Sequence, residues 1–342
     1  MTAVLPTQVT AARDLVEPAL RRAVDELAPA MRTISRYHFG WADEFGRDTA
    51  GGGGKALRPA LTLLSAQAAG ATAAAGVPAA VAVELVHNFS LLHDDVMDND
   101  TERRHRPTAW TVFGVPAAIL AGDALLTLAV ETVRTGYEHT GGAVVGCLNH
   151  AVQDLIVGQS SDVDFERRTD VTLGECLTMA AGKTGALMRC ATSIGALAVG
   201  ADDTTVKLLA QFGEHLGLAF QLVDDLLGIW GSPDVTGKPA LADLRSRKKS
   251  VPVVAALNSG TEAASRLAEL YFQPHQPDQV DDEAALIAMA DLVDRAGARA
   301  WTEAEADRHV QQAERCLAEL AAPPEVTEAF RATALFVTRR DR

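Results

Sequence analysis

No part of this 342-residue chain alternates apolar and polar residues long enough to build a half-buried strand, whereas a helical spacing of apolar residues recurs nearly throughout. That property alone predicts an all-α fold. Alanine is abundant and aromatic residues make up only 5%, which suits closely packed helices. The first fifty residues read as an amphipathic helix with Leu15, Leu20, Val24 and Leu27 on one side. Gly51–Gly54 and Lys55 form a break that lets backbone approach a ligand. Further helices are expected over Leu57–Ala69, Pro78–Asp98, Pro116–Thr135, Ala143–Gln159, Thr172–Met179, Thr184–Val199 and Thr204–Gly228. Asn99–Thr108 is a polar connection, and Gly231–Arg247 reads as a mobile surface loop. A helix follows Pro252, and Pro274–Pro277 marks a loop before the C-terminal helices. Without a low-complexity linker or a fixed-period repeat, the expectation is one domain over residues 1–342, its motif-bearing core at about 51–253 and its C-terminal helices at 254–342.

The helix expected over Pro78–Asp98 ends in carboxylates. Asp94 and Asp98 lie four residues apart and share a face, where like charges destabilise a helix. A hard divalent cation reverses the sign of that interaction, because Mg²⁺ is held by one or two carboxylates together with substrate phosphates. Arg103 and Arg104 follow where the helix should end, and an arginine fork grips phosphate oxygens. Carboxylates beside arginines point to a Mg²⁺–diphosphate site, with a solvated acidic helix end as the rival reading. Asp224 and Asp225 form a second pair on an otherwise apolar helix, costly to bury without a compensating cation. Two such pairs imply metal clusters facing one cavity, as helix bundles build them.

Composition bounds the rest. Hydrophobic residues are 48% and charged residues 22%, ordinary for a soluble protein. The net charge of -14 argues against nucleic-acid binding, so an anionic substrate requires a local basic cluster or bound metal. Cys147, Cys176, Cys190 and Cys316 have no ligand spacing and read as reduced core thiols of a cytoplasmic protein. No secretory signal is visible, and apolar runs such as Pro116–Leu120 are short of membrane-spanning length, so no transmembrane segment is expected.

Several motifs then carry a resemblance. Gly53-Gly54-Lys55-Ala56-Leu57-Arg58-Pro59 resembles the GGKxxRP element of the trans-isoprenyl diphosphate synthases, and Asp94-Asp95-x-x-Asp98 with Arg103-Arg104 resembles their first aspartate-rich motif. Ala121-Gly122-Asp123, Gly158-Gln159-x-x-Asp162, Lys183-Thr184, Phe220-Gln221-x-x-Asp224-Asp225, Gly237-Lys238-Pro239 and Lys248–Pro252 resemble further family elements in the family's order. The resemblance runs from about Gly53 to Pro252. It implies a helical bundle with a central cavity between two facing Asp-rich helices, usually a homodimer, that elongates allylic diphosphates (C5–C15) with isopentenyl diphosphate.

The resemblance also implies roles. Asp94, Asp98 and Asp224 would ligate Mg²⁺, three ions per active site, with Asp95 and Asp225 in support. Arg103, Lys183, Thr184, Gln221, Lys238 and Lys248 would hold the allylic substrate, and Lys55, Arg58, His87 and Arg104 the isopentenyl diphosphate. His87 precedes Asp94 by seven residues on the same helix face. No side-chain nucleophile is needed, since ionisation of the allylic diphosphate depends on stabilising its leaving group. Phe89 and Ser90, five and four residues before Asp94, lie roughly 6–8 Å down the axis, where a ring would stop the growing tail. By similarity this pattern implies a C20 product, geranylgeranyl diphosphate.

Two departures stand out: Gly228 sits where the second motif often has its third Asp, leaving one ligand fewer, and His105 replaces the usual glycine after the arginine pair. A class I terpene cyclase shares the metal chemistry but gives Lys55, Arg58 and Arg104 no second diphosphate. A non-catalytic regulatory subunit should have lost more of the ligands.

Overall fold

The computed structural model describes residues 6–49, 54, 56–232, 240–273 and 283–338. The expectations at Gly51–Gly53, Lys55, Gly237–Pro239 and Pro274–Pro277 therefore fall outside the described residues. Helices dominate, in the order α1 (Thr7–Asp25), α2 (Pro29–His38), α3 (Leu57–Ala68), α4 (Val77–Met97), α5 (Ala109–Phe113), α6 (Val115–Gly136), α7 (Gly141–Phe165), α8 (Leu173–Ala180), α9 (Ala186–Ala198) and α10 (Asp203–Trp230). Shorter helices at Ala242–Arg245, Val251–Leu257 and Glu262–Tyr271 follow, then Glu283–Arg295, Ala298–Glu319 and Pro324–Thr338. The chain divides into two compact units interleaved along the sequence: residues 1–152, 187–213 and 316–333 in one, and 153–186, 214–315 and 334–342 in the other.

In the first unit, α4 is the core helix. Pro78 sits in its first turn, where a missing N–H costs nothing, and every residue from Ala79 to Val86 is buried. A circumference apolar all round but for Glu84 drives a helix into a protein interior. The N-terminal segment departs from expectation: it breaks after Asp25, and Pro29 starts a second helix. The buried side of α1 is Val9, Ala12, Val16, Leu20 and Val24, while Leu15 is 39% exposed. Leu15 is a full turn and more from Leu20, so one shifted position puts it on the outer face.

Asn99–Thr108 is not wholly irregular. Glu102–Arg103 pairs antiparallel with Arg106–Pro107. Arg104 (φ 54°) and His105 (φ 60°) make the two-residue turn, both left-handed, as a hairpin with right-handed strand twist requires. That accounts for the glycine preference next to the arginine pair, and the histidine costs about 1 kcal/mol there.

In the second unit one apolar cluster packs Leu244 with Ile229, Val253, Leu267 and Tyr271, and another packs Cys176, Met179, Leu222, Val223 and Val251. Leu244 is fully buried within the helix Ala242–Arg245, so the expected mobile loop over Gly231–Arg247 contains an anchored turn. α8 opens with a capping box: Thr172 accepts from the Glu175 N–H, and the Glu175 carboxylate accepts from the Thr172 N–H.

Among the described residues two helices are long and apolar enough to cross a membrane by length and composition, Ala73–Met97 (mean hydropathy 1.4) and Val115–Gly136 (1.5), contrary to the expectation of short runs only. The first is 72% buried, as a core helix should be, and the second only 28%. The four cysteines are free thiols, with Cys147 and Cys316 only half-buried.

Candidate active site

In the first unit the acidic motif closes α4. Asp98 is the C-cap, and its N–H donates to the Asp94 carbonyl. Asp94, Asp95 and Asp98 thus crowd the negative end of the helix dipole, which a cation relieves. Asp95 is 1% exposed, and burial pushes its carboxyl up against the counter-pull of Arg103. Arg103 donates to one Asp95 oxygen through both Nε (2.7 Å) and a terminal nitrogen (2.6 Å). The other oxygen, Oδ2, is sealed from solvent without a hydrogen-bond partner.

One turn and more below lies a buried basic cluster. Arg58 on α3 meets His87 Nε2 at 3.3 Å. Glu84, also on α4, is raised by burial and drawn back down chiefly by Arg58, then by Asn88 and Arg104. His87 is pushed well below the ordinary histidine range by burial and by Arg58, Arg104 and Arg103. His38, ending α2, falls to about 3 for the same reasons, burial first and Arg104 next. Both imidazoles are therefore neutral at physiological pH. A cavity of about 560 Å³ is lined by His38, Asp95, Arg103, Arg104 and Arg106, among others. Its size and polarity suit a small anionic ligand. Of the arginines, Arg106 is committed to the fold, donating to the Tyr37 and Ala42 carbonyls.

The second unit presents a different chemistry. Gly158 on α7 lies so close to the turn after α8 that a Cβ there would sit 2.2 Å from the Lys183 backbone nitrogen. That turn, Ala181–Gly185, is a single π-helical turn, a feature common at functional sites. The tight contact puts Lys183 Nζ 2.5 Å from Asp162 and Thr184 Oγ1 2.5 Å from Gln221 Oε1. Gln221 Nε2 in turn donates to Asp225 (2.8 Å), whose second oxygen accepts from the Val251 N–H (2.8 Å). Asp225 is 3% exposed, and burial lifts its carboxyl to about 6 although Lys248 stands 3.8 Å away. Burial alone would lower the Lys248 ammonium; the Asp225, Asp243, Asp162 and Asp224 carboxylates around it reverse this and raise it.

Gly228 is better placed than the sequence suggests. A Cβ at that position would meet Asp243 Oδ2 at 2.4 Å, so the space vacated by a larger side chain holds the Asp243 carboxylate. The place beside Gly228 is thus taken by a carboxylate from the short helix Ala242–Arg245, which sequence order did not reveal.

Of the residues singled out from sequence, Asp94, Asp95, Asp98, Arg103, Arg104, Arg58 and His87 gather in the first unit, and Lys183, Thr184, Gln221, Asp224, Asp225 and Lys248 in the second. Phe89 and Ser90 are buried on α4, with Ser90 donating to the His87 carbonyl. Lys55 and Lys238 lie outside the described residues. Sequence reasoning missed Glu84, His38 and Asp243. Glu84 carried a signal, as the lone Asp, Glu, Lys or Arg between Arg58 and Asp94. The donor set suits a hard cation: the oxygens at the end of α4 are carboxylate, and the sealed Asp95 Oδ2 accepts from nothing. Among the described residues no three His, Cys, Asp or Glu form a closed protein cage, which Mg²⁺, keeping its waters and substrate phosphates, does not require.

Helices nearly throughout, with carboxylates and buried cations at their ends, define the all-α isoprenoid synthase fold. Residues 40–289 match the polyprenyl synthetase family. The (2E,6E)-farnesyl diphosphate synthase of Mycobacterium tuberculosis is 50% identical over 302 residues, covering 88% of this chain and 84% of its own. The geranylgeranyl diphosphate synthase of the same organism is 45% identical over 311 residues, 90% and 87% of the two chains. The polyprenyl synthetase of Streptomyces coelicolor superposes with a TM-score of 0.92 at 50% identity, covering 96% and 98%. A Caulobacter crescentus polyprenyl synthase, solved with calcium and isoprenyl diphosphate, superposes at 0.82 with 26% identity, covering 99% of each. The chain belongs to the polyprenyl synthetase family and is a trans-prenyl diphosphate synthase, an enzyme that transfers prenyl groups.

Proposed function

We propose that this prenyltransferase condenses an allylic diphosphate (C5–C15) with isopentenyl diphosphate, in a Mg²⁺-dependent reaction, to linear all-trans geranylgeranyl diphosphate. The observation that carries the reading is the buried Arg58–His87–Arg104 cluster, a basic site additional to the Asp94–Asp98 motif. A second diphosphate gives that cluster its counter-charge, and condensation needs two diphosphates where cyclisation needs one.

Asp94, Asp98 and Asp224 would hold Mg²⁺, with Asp95 and Asp225 in support; the Caulobacter relative solved with calcium and isoprenyl diphosphate supports this reading. When bound, the metal would supply Lewis-acid stabilisation of the departing diphosphate. Arg103, Lys183, Thr184, Gln221, Lys238 and Lys248 bind the allylic diphosphate; Asp162 and Gln221 pre-orient Lys183 and Thr184, so little reorganisation is left for the moment of reaction. Lys55, Arg58, His87 and Arg104 bind isopentenyl diphosphate, and the depressed His87 serves as a neutral hydrogen-bonding group beside two guanidinium ions. The double bond of isopentenyl diphosphate attacks the allylic carbocation, and loss of a proton completes the new unit.

Phe89 is the floor of the tail path. Ser90 beside it is small, so one ring rather than two limits growth, which supports C20. The mycobacterial farnesyl diphosphate synthase relatives at 50% identity favour a second reading, C15. Incubation with Mg²⁺, isopentenyl diphosphate and each primer, followed by chromatography of the dephosphorylated products, decides between them. A C20 alcohol from a C15 primer supports the first reading, and arrest at C15 the second. Hydrocarbon from a primer alone would overturn both.

The enzyme is proposed to act as a homodimer. Val115, Ile119 and Leu120 on α6 are exposed (39%, 40% and 55%), apolar surface that a second copy would cover. Leu120→Asp should convert the particle to a monomer by light scattering.

A further inference from the structure

We infer that His93 is a positioning residue for product length, holding the Phe89 ring in place by seating itself on Gly122. The inference rests on the reading of Phe89 as the floor of the tail path.

Phe89 and His93 are one helical turn apart on α4, so their side chains share a face. Their ring centroids are 4.9 Å apart at 72°, an edge-on contact. Such a contact favours one ring orientation beyond the area it buries. What makes the contact a clamp is the other side of the imidazole. His93 Nε2–H donates to the Ile119 carbonyl on α6 at 3.0 Å. The Asp123 carboxylate stands 3.8 Å from the same nitrogen. The ring also occupies the space above Gly122: a Cβ there would lie 2.3 Å from Nε2 and 2.5 Å from Cδ2. Only glycine at that position admits the ring.

Ile119, Gly122 and Asp123 lie within little more than one turn of α6, and all three meet the Nε2 edge of the imidazole. The imidazole cannot withdraw toward α6, and Phe89, 5% exposed, cannot swing toward the space it fills. The Ala121-Gly122-Asp123 motif, which binds no substrate in the proposed mechanism, thereby acquires a role in setting where elongation stops.

The test is the product distribution of the full-length enzyme, measured by liquid chromatography and mass spectrometry with isopentenyl diphosphate and farnesyl diphosphate. The ratio of longer to shorter products is a partition, so it is independent of any loss of rate from altering the neighbour of Asp94. Phe89→Ala should shift the distribution toward longer products. Gly122→Ala, which displaces the ring without touching α4, and His93→Ala, which removes it, should each raise the longer-to-shorter ratio at least about threefold, the change expected when a ring-pair preference of this kind is lost. The Phe89→Ala/His93→Ala double variant should match Phe89→Ala alone, since without the phenyl ring there is nothing to position. A general loosening of the fold would instead add its effect in the double variant. If Phe89→Ala lengthens the product while Gly122→Ala and His93→Ala keep the parental distribution, or if the double variant is additive, the clamp is wrong and the floor stands. If Phe89→Ala changes nothing, the floor reading falls and the clamp with it. Should Gly122→Ala fail to fold, His93→Ala and the double variant distinguish the same outcomes.

Discussion

The two charged regions of this enzyme are solved in opposite ways. In the second unit several site residues form a connected circuit: Asp162 holds Lys183, Thr184 holds Gln221, and Asp225 takes Gln221, the Val251 N–H and the field of Lys248. In the first unit the guanidinium groups of Arg58 and Arg104 are buried with Glu84 as their chief counter-charge, and two histidines near them are held neutral. Buried charge without full compensation costs several kcal/mol. A protein carries that cost where a ligand of the missing sign arrives later. Under the proposed function the circuit orients groups in advance, whereas the unbalanced cluster attracts its substrate.

The sharpest challenge to this contrast is removal of the first motif. Asp94→Ala should reduce kcat by at least about 10³-fold, from loss of metal-assisted leaving-group stabilisation, in the isopentenyl condensation assay. Full activity would sink the metal assignment. Next in size, Glu84→Gln removes the chief counter-charge and should lower unfolding free energy by about 3 kcal/mol in urea denaturation. Millimolar inorganic pyrophosphate should restore part of that loss; no restoration would mean the cluster is structural. A third effect concerns pH. His309, in the second unit, is held down to about 4 by burial first and then by Arg308, and His38 to about 3. The folded chain keeps both neutral while the unfolded chain protonates them below about 6.5, so their contribution is present above that value and lost on acidification. The slope should be about 1.4 kcal/mol per pH unit for each histidine between roughly pH 6 and 4. Thermal denaturation of His309→Gln across that range should show a shallower decline. Smallest is His105→Gly, which should raise stability by about 1 kcal/mol by removing a side chain from a left-handed turn position. An unchanged midpoint would mean that the turn is rebuilt in another form.

Much of this was legible in the sequence because helical spacing and short-range motifs are local properties. The core helix α4, the carboxylates at its end and the Asp224–Asp225 pair were readable from neighbours a few residues apart, whereas Lys183, Thr184 and Gln221 entered through the family resemblance. What was not legible depends on residues far apart in sequence. Glu84 and His38 acquire meaning only beside Arg58 and Arg104. Asp243 fills the place beside Gly228 from a later turn of the chain. The N-terminal helix erred by a phase: Leu15 satisfies an apolar count but points outward, since Val9, Ala12 and Val16 define a stripe that excludes it. The hairpin at Arg103–Arg106 is too short for any alternation to show.

The π-helical turn at Ala181–Gly185 has a consequence for how the family's sequences are compared. It contains one residue more than an α-helical turn would, so every side chain after it is advanced by about 100° relative to a regular helix. Lys183 and Thr184 lie within this turn, where they meet Asp162 and Gln221. A relative lacking one residue there could keep the same letters, align without difficulty, and yet aim them at the wrong neighbours. The length of this segment is as much a part of the catalytic specification as the amino acids it contains.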